Sequence, residues 1–132
     1  YLSRRILRHD GVSELDVVEA EDDALDCARA NIDDRRVRFH WADARSFKPL
    51  RPAHAVVMNP PFHSVREADP ALGLAFLRAA AGMLVADGSL WLVANRHLPY
   101  DRALATLFRR VEDIGGDTAF RLTRASLPIR AR

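Results

Sequence analysis

Apolar residues return along this chain with two alternating periods, and the alternation sets the elements. Leu2, Ile6 and Leu7 have helical spacing, so the chain opens in a helix that Gly11 can close as a left-handed C-terminal residue. Leu15, Val17, Val18 and Ala20 then make an apolar run of strand length. The stretch Asp22-Asp23-Ala24-Leu25-Asp26-Cys27-Ala28-Arg29-Ala30-Asn31 puts acids in a first helical turn, where the dipole favours them, and good helix formers after it. Residues 37–41 predict a second strand. Pro49 and Pro52 break the segment that follows, and residues 53–58 predict a third strand, so continuously apolar that it reads as buried on both faces. Asp69 and Pro70 read as the cap and first residue of the longest helix, which runs through Leu72, Leu77, Ala80, Met83 and Leu84 and stops before Gly88. A fourth strand over 90–94, a helix over 101–109 and two closing strands over 111–114 and 120–129, separated by Gly115-Gly116, complete the pattern. Strands alternating with helices predict an α/β domain spanning 1–132, with a mostly parallel sheet, helices on both faces and the last hairpin supplying an antiparallel edge strand.

Composition narrows the class. With 132 residues, 48% hydrophobic and 29% charged, the chain has the profile of one globular domain with one core. A net charge of +2 is too small to argue by itself for nucleic acid or an acidic membrane surface. Cys27 is the single cysteine, which excludes an internal disulfide and a multi-thiolate zinc site, and no Cys or His pair has metal-ligand spacing; among alanines in a helix it reads as a small, inert core side chain. No apolar run approaches the roughly 20 residues that span a bilayer, and the arginines of the first eight residues exclude a signal-peptide core. A cytoplasmic protein is the expectation. The chain begins with Tyr1, inside or just before a helix, so it reads as a fragment whose preceding strand and loop lie outside it.

Ligands of open α/β sheets bind beyond the carboxyl ends of the strands. Three such ends carry chemistry here: Glu19, Asp43 and Asn59-Pro60-Pro61-Phe62. The last is the strongest signal. Two consecutive prolines supply no N–H, and each biases the residue before it away from the α region, so the carbonyls point in fixed directions. The Asn59 side-chain oxygen and the Pro60 carbonyl can each accept one hydrogen of a planar amino group while Phe62 stacks on the attached ring. Accepting both hydrogens at an angle favours a pyramidal nitrogen with its lone pair toward an electrophile, and no strong base is needed.

A strand followed by Asn-Pro-Pro-Phe resembles motif IV of class I S-adenosylmethionine-dependent methyltransferases that act on exocyclic or amide nitrogen. The continuation to His63, together with Val93-Ala94-Asn95-Arg96-His97-Leu98-Pro99-Tyr100, is similar to the ribosomal RNA guanine-N2 methyltransferases of the small-subunit methyltransferase C family. The resemblance covers nearly the whole chain. It implies a Rossmann-like sheet with strand order 3-2-1-4-5-7-6, S-adenosylmethionine as cofactor, and ribosomal RNA or the small ribosomal subunit as partner. It implies that Asn59, Pro60, Pro61 and Phe62 act on the amine, that Glu19 binds the ribose hydroxyls of the cofactor, that Asp43 accepts from its adenine amino group with the Ala44 backbone beside it, and that Asn59 also borders the cofactor. The target base must leave its stack to enter such a site. The family's first strand and glycine-rich loop would precede Tyr1, which leads to the expectation that this chain alone binds S-adenosylmethionine weakly or not at all.

Plainer roles stand beside these. Glu21, Asp22 and Asp23 compete with Glu19 and suit a helix N-terminus; Asp43 can cap a turn through its own backbone. His63 and His97 flank the expected pocket, but an exocyclic amine needs neither as a base. His63 or Arg66 could select guanine. Arg121, Arg124, Arg130 and Arg132 form an acid-free end suited to phosphate, although nineteen of the twenty basic residues are arginine, which is a bias of the whole chain. Alternatives within the enzyme class are protein glutamine and DNA adenine; outside it, a non-catalytic methyltransferase-fold module for RNA or subunit contacts.

Overall fold

The computed structural model describes residues 2–59, 63–64, 67–68, 70–96 and 100–130, with backbone only for 2, 63–64, 67–68 and 70. They fall into two compact units, Tyr1–Phe47 and Lys48–Arg132.

The first unit holds α1 (Leu2–Ile6), β1 (Leu15–Glu19), α2 (Asp22–Asn31) and β2 (Val37–Trp41). β1 and β2 pair in parallel, Leu15 beside Val37 and Glu19 beside Trp41. α2 begins with its two acids and closes with the Ile32 N–H donating to the Ala28 carbonyl (3.0 Å). Leu25 is fully buried. Cys27, two positions on and so about 200° round the helix, is exposed, which corrects its expected place in the core. Gly11 does not close α1 in a left-handed conformation either: α1 ends at Ile6, and glycine φ is positive at Gly115 and Gly116 alone among the described residues. Tight turns follow instead, with Arg8 N–H donating to Arg5, His9 to Ile6 and Val12 to His9.

Arg36 ties that irregular segment down. Its guanidinium donates to the carbonyls of Leu7, His9 (3.3 Å) and Val12 (2.9 Å) and to the Asp34 carboxylate (2.7 Å). Arg36→Ala therefore lowers the melting temperature by several degrees, and Arg36→Lys loses nearly as much, because an ammonium cannot span three carbonyls and a carboxylate at once; paired thermal melts check this. The Arg36 side chain and N–H hold the Asp34 carboxyl down at about 2 from an ordinary 3.8. A depressed carboxyl contributes stability that is complete above its unfolded pKa, so this contribution is lost as the pH falls from 4 toward about 2. Asp34→Asn removes that part of the acid dependence.

The second unit holds β3 (Ala53–Met58), β4 (His63–Ser64), β5 (Glu67–Ala68), α3 (Pro70–Met83), β6 (Leu84–Asn95), α4 (Asp101–Leu107), β7 (Phe108–Gly116) and β8 (Phe120–Pro128). A four-stranded sheet has the order β3-β6-β8-β7, and β4 pairs with β5 in a two-residue hairpin. β3 and β6 are parallel; β8 runs against both β6 and β7. The expected order 3-2-1-4-5-7-6 without its first strand reads 3-2 and 4-5-7-6, and the two sheets have those orders.

The core is Leu77, Ala80, Ala81 and Leu84 from the α3 side, spaced for one helix face, on Leu90, Leu92 and Ala94 of β6, with Tyr100, Leu104, Phe108 and Ala125. Both helices of this unit cover that one face. On the other, Val57 and Trp91 are 37% and 39% exposed, so β3 is not buried on both faces: Val56 and Met58 pack on the core and Val57 does not. Apolar content cannot tell one covered face from two.

Three boundaries differ from the sequence pattern. β6 starts at Leu84, directly from α3, and a register shift passes from the Ala53–Leu84 pair to Ala55–Ser89, so residues 85–88 bulge away. α4 stops at Leu107, because Phe108 turns extended (φ −133°, ψ 146°) and buries its ring. The hairpin does not turn at Gly115-Gly116, which end β7. It turns at Asp117, whose Oδ1 accepts from the N–H groups of Ala119 and Phe120 (2.8 Å each), bonds that lower the Asp117 pKa. No helix among the described residues is long and apolar enough to cross a membrane.

Candidate active site

In the first unit, the parallel register brings the carboxyl ends of β1 and β2 level. Glu19 is the last residue of β1, half-buried, and its Oε1 accepts from the Glu21 N–H (3.1 Å) at the entrance to α2. The Glu19 carbonyl accepts from Ala42 N–H (3.1 Å), which leads the chain directly to Asp43 and Ala44. Glu19, Asp43 and Ala44 are thus gathered at one sheet end.

Asp43 already has a partner. Its Oδ1 accepts from the Arg45 N–H (2.9 Å), and Arg45 closes a fork on the carboxylate with Nε at 3.0 Å and Nη2 at 2.6 Å. That fork, then the Arg45 N–H, lowers the Asp43 pKa. The Asp43 carbonyl accepts from Ser46 and Phe47 (3.1 and 3.0 Å), so the residue does cap its own turn. Capping leaves the acid ionised and half-buried, and a ligand's amino group would share it with Arg45. The Ala44 N–H, at the first position of this turn, makes no hydrogen bond among the described residues.

Sequence reasoning overlooked Trp41. The residue is 67% exposed, and its indole N–H donates to the Ala20 carbonyl (2.9 Å), fastening the end of β2 to the residue after Glu19. An aromatic closing a strand immediately before Ala42-Asp43 was the available signal.

In the second unit, Asn59 is exposed and follows Met58, which pairs with Leu92. Asn59 therefore stands at the same sheet edge as Asn95, which ends β6 and pairs with Phe120. Arg96, next in line, donates from its backbone N–H to Ala119 (2.9 Å) and from its side chain to the Asp117 carbonyl, so the β7–β8 turn is fixed to the end of β6. Pro60, Pro61 and Phe62 lie outside the described residues, as do Arg66, His97 and Arg132 and the side chain of His63. The other three arginines of the C-terminal stretch act within the fold. Arg121 binds Asp101, Arg124 lies over the Trp91 ring (5.3 Å) and reaches Ser89, and Arg130 donates to the carbonyls of Ala81 (3.0 Å) and Leu84. No group of three metal-ligating side chains occurs among the described residues.

Residues 1–124 match the model of the methyltransferase small domain family. The chain belongs to that family. It is 32% identical over 118 residues to the ribosomal RNA large subunit methyltransferase G of Ectopseudomonas mendocina, covering 86% of this chain and 32% of that protein. With the Pseudomonas entomophila protein of the same name it shares 34% identity over 102 residues, 77% of this chain and 27% of that one. The chain thus spans about a third of the length of these curated relatives. Among solved structures, a Thermus thermophilus 16S rRNA N2 methyltransferase in complex with AdoMet and guanosine superposes with a TM-score of 0.70 at 21% identity, over 86% of this chain and 31% of that one. The family gives this chain a methyltransferase fold, and the superposed Thermus thermophilus structure holds AdoMet. The donor set fits that cofactor: Glu19 offers a carboxylate to ribose hydroxyls, Asp43 one to an amino group, and Ala44 an N–H to a ring nitrogen.

Proposed function

We propose that this domain transfers a methyl group from S-adenosylmethionine to the exocyclic N2 amine of a guanine in ribosomal RNA. The observation that carries the reading is Asn59, an exposed amide at the carboxyl end of a parallel strand, followed in sequence by Pro60-Pro61-Phe62, in a chain of a methyltransferase family. The cofactor supplies an already activated methyl, so the chain's own residues position and polarise. Glu19, Asp43 and Ala44 hold the cofactor's ribose and adenine; Asn59 and Pro60 accept the two amine hydrogens; Phe62 stacks on the base. The amine's proton is acidified once the nitrogen is alkylated and passes to water. Higher identity to the large-subunit relatives than to the 16S enzyme supports large-subunit RNA as the source of the target, against the small subunit implied by the motif resemblance.

The test is to incubate the protein containing this chain with labelled S-adenosylmethionine and, separately, large subunits, small subunits, naked ribosomal RNA, DNA and a glutamine-bearing protein, then to digest the RNA to nucleosides. Label in N2-methylguanosine from large-subunit RNA is the expected result. Label confined to protein or to N6-methyladenine overturns the substrate, and no label in any arm favours a non-catalytic binding module.

A further inference from the structure

β7 is one of the two outer strands of the four-stranded sheet, β3 being the other: one side of β7 pairs with β8, and the other has no strand beside it among the described residues. Its register is regular from Arg110 to Asp113, and the bulge comes only between Asp113 and Gly115. An unpaired edge is a template for another strand, and proteins commonly blunt it with lysine, proline or repelling charge. Residues 108–116 contain neither lysine nor proline. They do contain the run Arg109-Arg110-Val111-Glu112-Asp113, whose charges have a centre. Laid antiparallel against itself about Val111, it sets Arg109 opposite Asp113, Arg110 opposite Glu112, and Val111 opposite Val111.

Two-fold symmetry repeats each pairing, giving four opposite-charge pairs and no like-charge pair. In an antiparallel ladder of identical strands the two-fold axis must pass through a residue, because outward-facing backbone groups alternate along each strand. The neighbouring registers centre on Arg110 or on Glu112 and so oppose two arginines or two glutamates. The charges therefore select one register. Arg109, Arg110, Val111 and Asp113 are exposed. Within the chain Arg110 meets Glu112, and Arg96 meets Asp113, only at 3.9 Å, the outer limit of ion pairing.

We propose that β7 is a self-association edge through which two copies of this chain pair antiparallel about Val111, joining their four-stranded sheets into one of eight strands. The occupant is a second copy because the pattern is complementary to itself. A ladder of this length buries less than the roughly 1,600 Å² of a standard interface, and its ion pairs are exposed. The dimer is therefore weak, with a dissociation constant on the order of 0.1 mM, and salt weakens it further.

Sedimentation equilibrium of the 132-residue chain, from about 10 µM to 1 mM, tests this across the dissociation range just given. A reversible monomer–dimer equilibrium is expected. Arg110→Glu alone opposes glutamates and Glu112→Arg alone opposes arginines, so each variant is monomeric, with a circular dichroism spectrum unchanged from the parent. An equimolar mixture of the two single variants restores all four opposite-charge pairs and forms a heterodimer, and the double variant R110E/E112R again forms a homodimer. A parent that stays monomeric overturns the proposal. So does a dimer that survives both single reversals, which would use another surface such as the β3 edge or the Val57–Trp91 face, or a mixture that fails to associate.

Discussion

Asn59→Ala lowers the methyl-transfer rate of the parent protein by a factor of about 10² to 10³, the usual loss for one aimed dipole in a dry site, while S-adenosylmethionine binds as tightly as before. The amide stands after the last residue of β3, at the strand end where the amine is to be held, and no hydrogen bond ties it to the described residues, so truncation costs the fold little. Single-turnover kinetics at saturating RNA, with cofactor affinity measured by calorimetry, separates the two effects. Glu19 gives the opposite signature. Glu19→Gln keeps an acceptor for the Glu21 N–H, and with it the entrance to α2, but removes the charge that receives ribose hydroxyls. Cofactor affinity falls about tenfold or more, and the rate at saturating cofactor changes far less. If Asn59→Ala kept its full rate, the segment that starts there would be a structural loop and the proposed chemistry would fail.

The elements most legible in the sequence are those whose ends are set by local chemistry. α2, β1, β2 and β3 begin and end close to where acids, strand-length apolar runs and prolines place them, and so do the carboxyl ends that carry Glu19, Asp43 and Asn59. What the pattern could not give depends on partners distant in sequence. β6 starts at Leu84 because that residue finds Ala53 across the ladder, and α4 gives way at Phe108 because the ring is needed in the core. Gly115-Gly116 looks like the stronger turn, yet Asp117 caps two N–H groups at once and takes that place. The same limit applies at the site. Sequence position identified Asp43 as an acid at a strand end, but not the Arg45 fork that keeps it ionised, nor the indole that fastens the two strands together. Nor could it show that Arg121, Arg124 and Arg130 are used within the fold, because their partners lie 20 or more residues away.

Gly73→Ala and Gly82→Ala, two identical changes in one helix, shift stability in opposite directions. Both glycines lie inside α3, where alanine is worth up to about 1 kcal/mol more than glycine. Around Gly82 nothing lies within 4 Å of an added Cβ, so Gly82→Ala raises the melting temperature. At Gly73 the new carbon would overlap the Tyr100 hydroxyl and stand 2.7 Å from the ring carbon bearing it. Tyr100 cannot move aside easily, because it is 4% exposed and packed in the core. The overpacking costs roughly 1–3 kcal/mol and outweighs the helical gain, so Gly73→Ala is net destabilising. Tyr100→Phe in the Gly73→Ala background removes the nearest atom and recovers part of the loss. The contact joins the first turn of α3 to the residue that opens α4, the helix that follows the strand ending at Asn95. Parallel thermal melts of the three variants decide the matter: a Gly73→Ala protein as stable as Gly82→Ala would mean that Tyr100 is not held against α3.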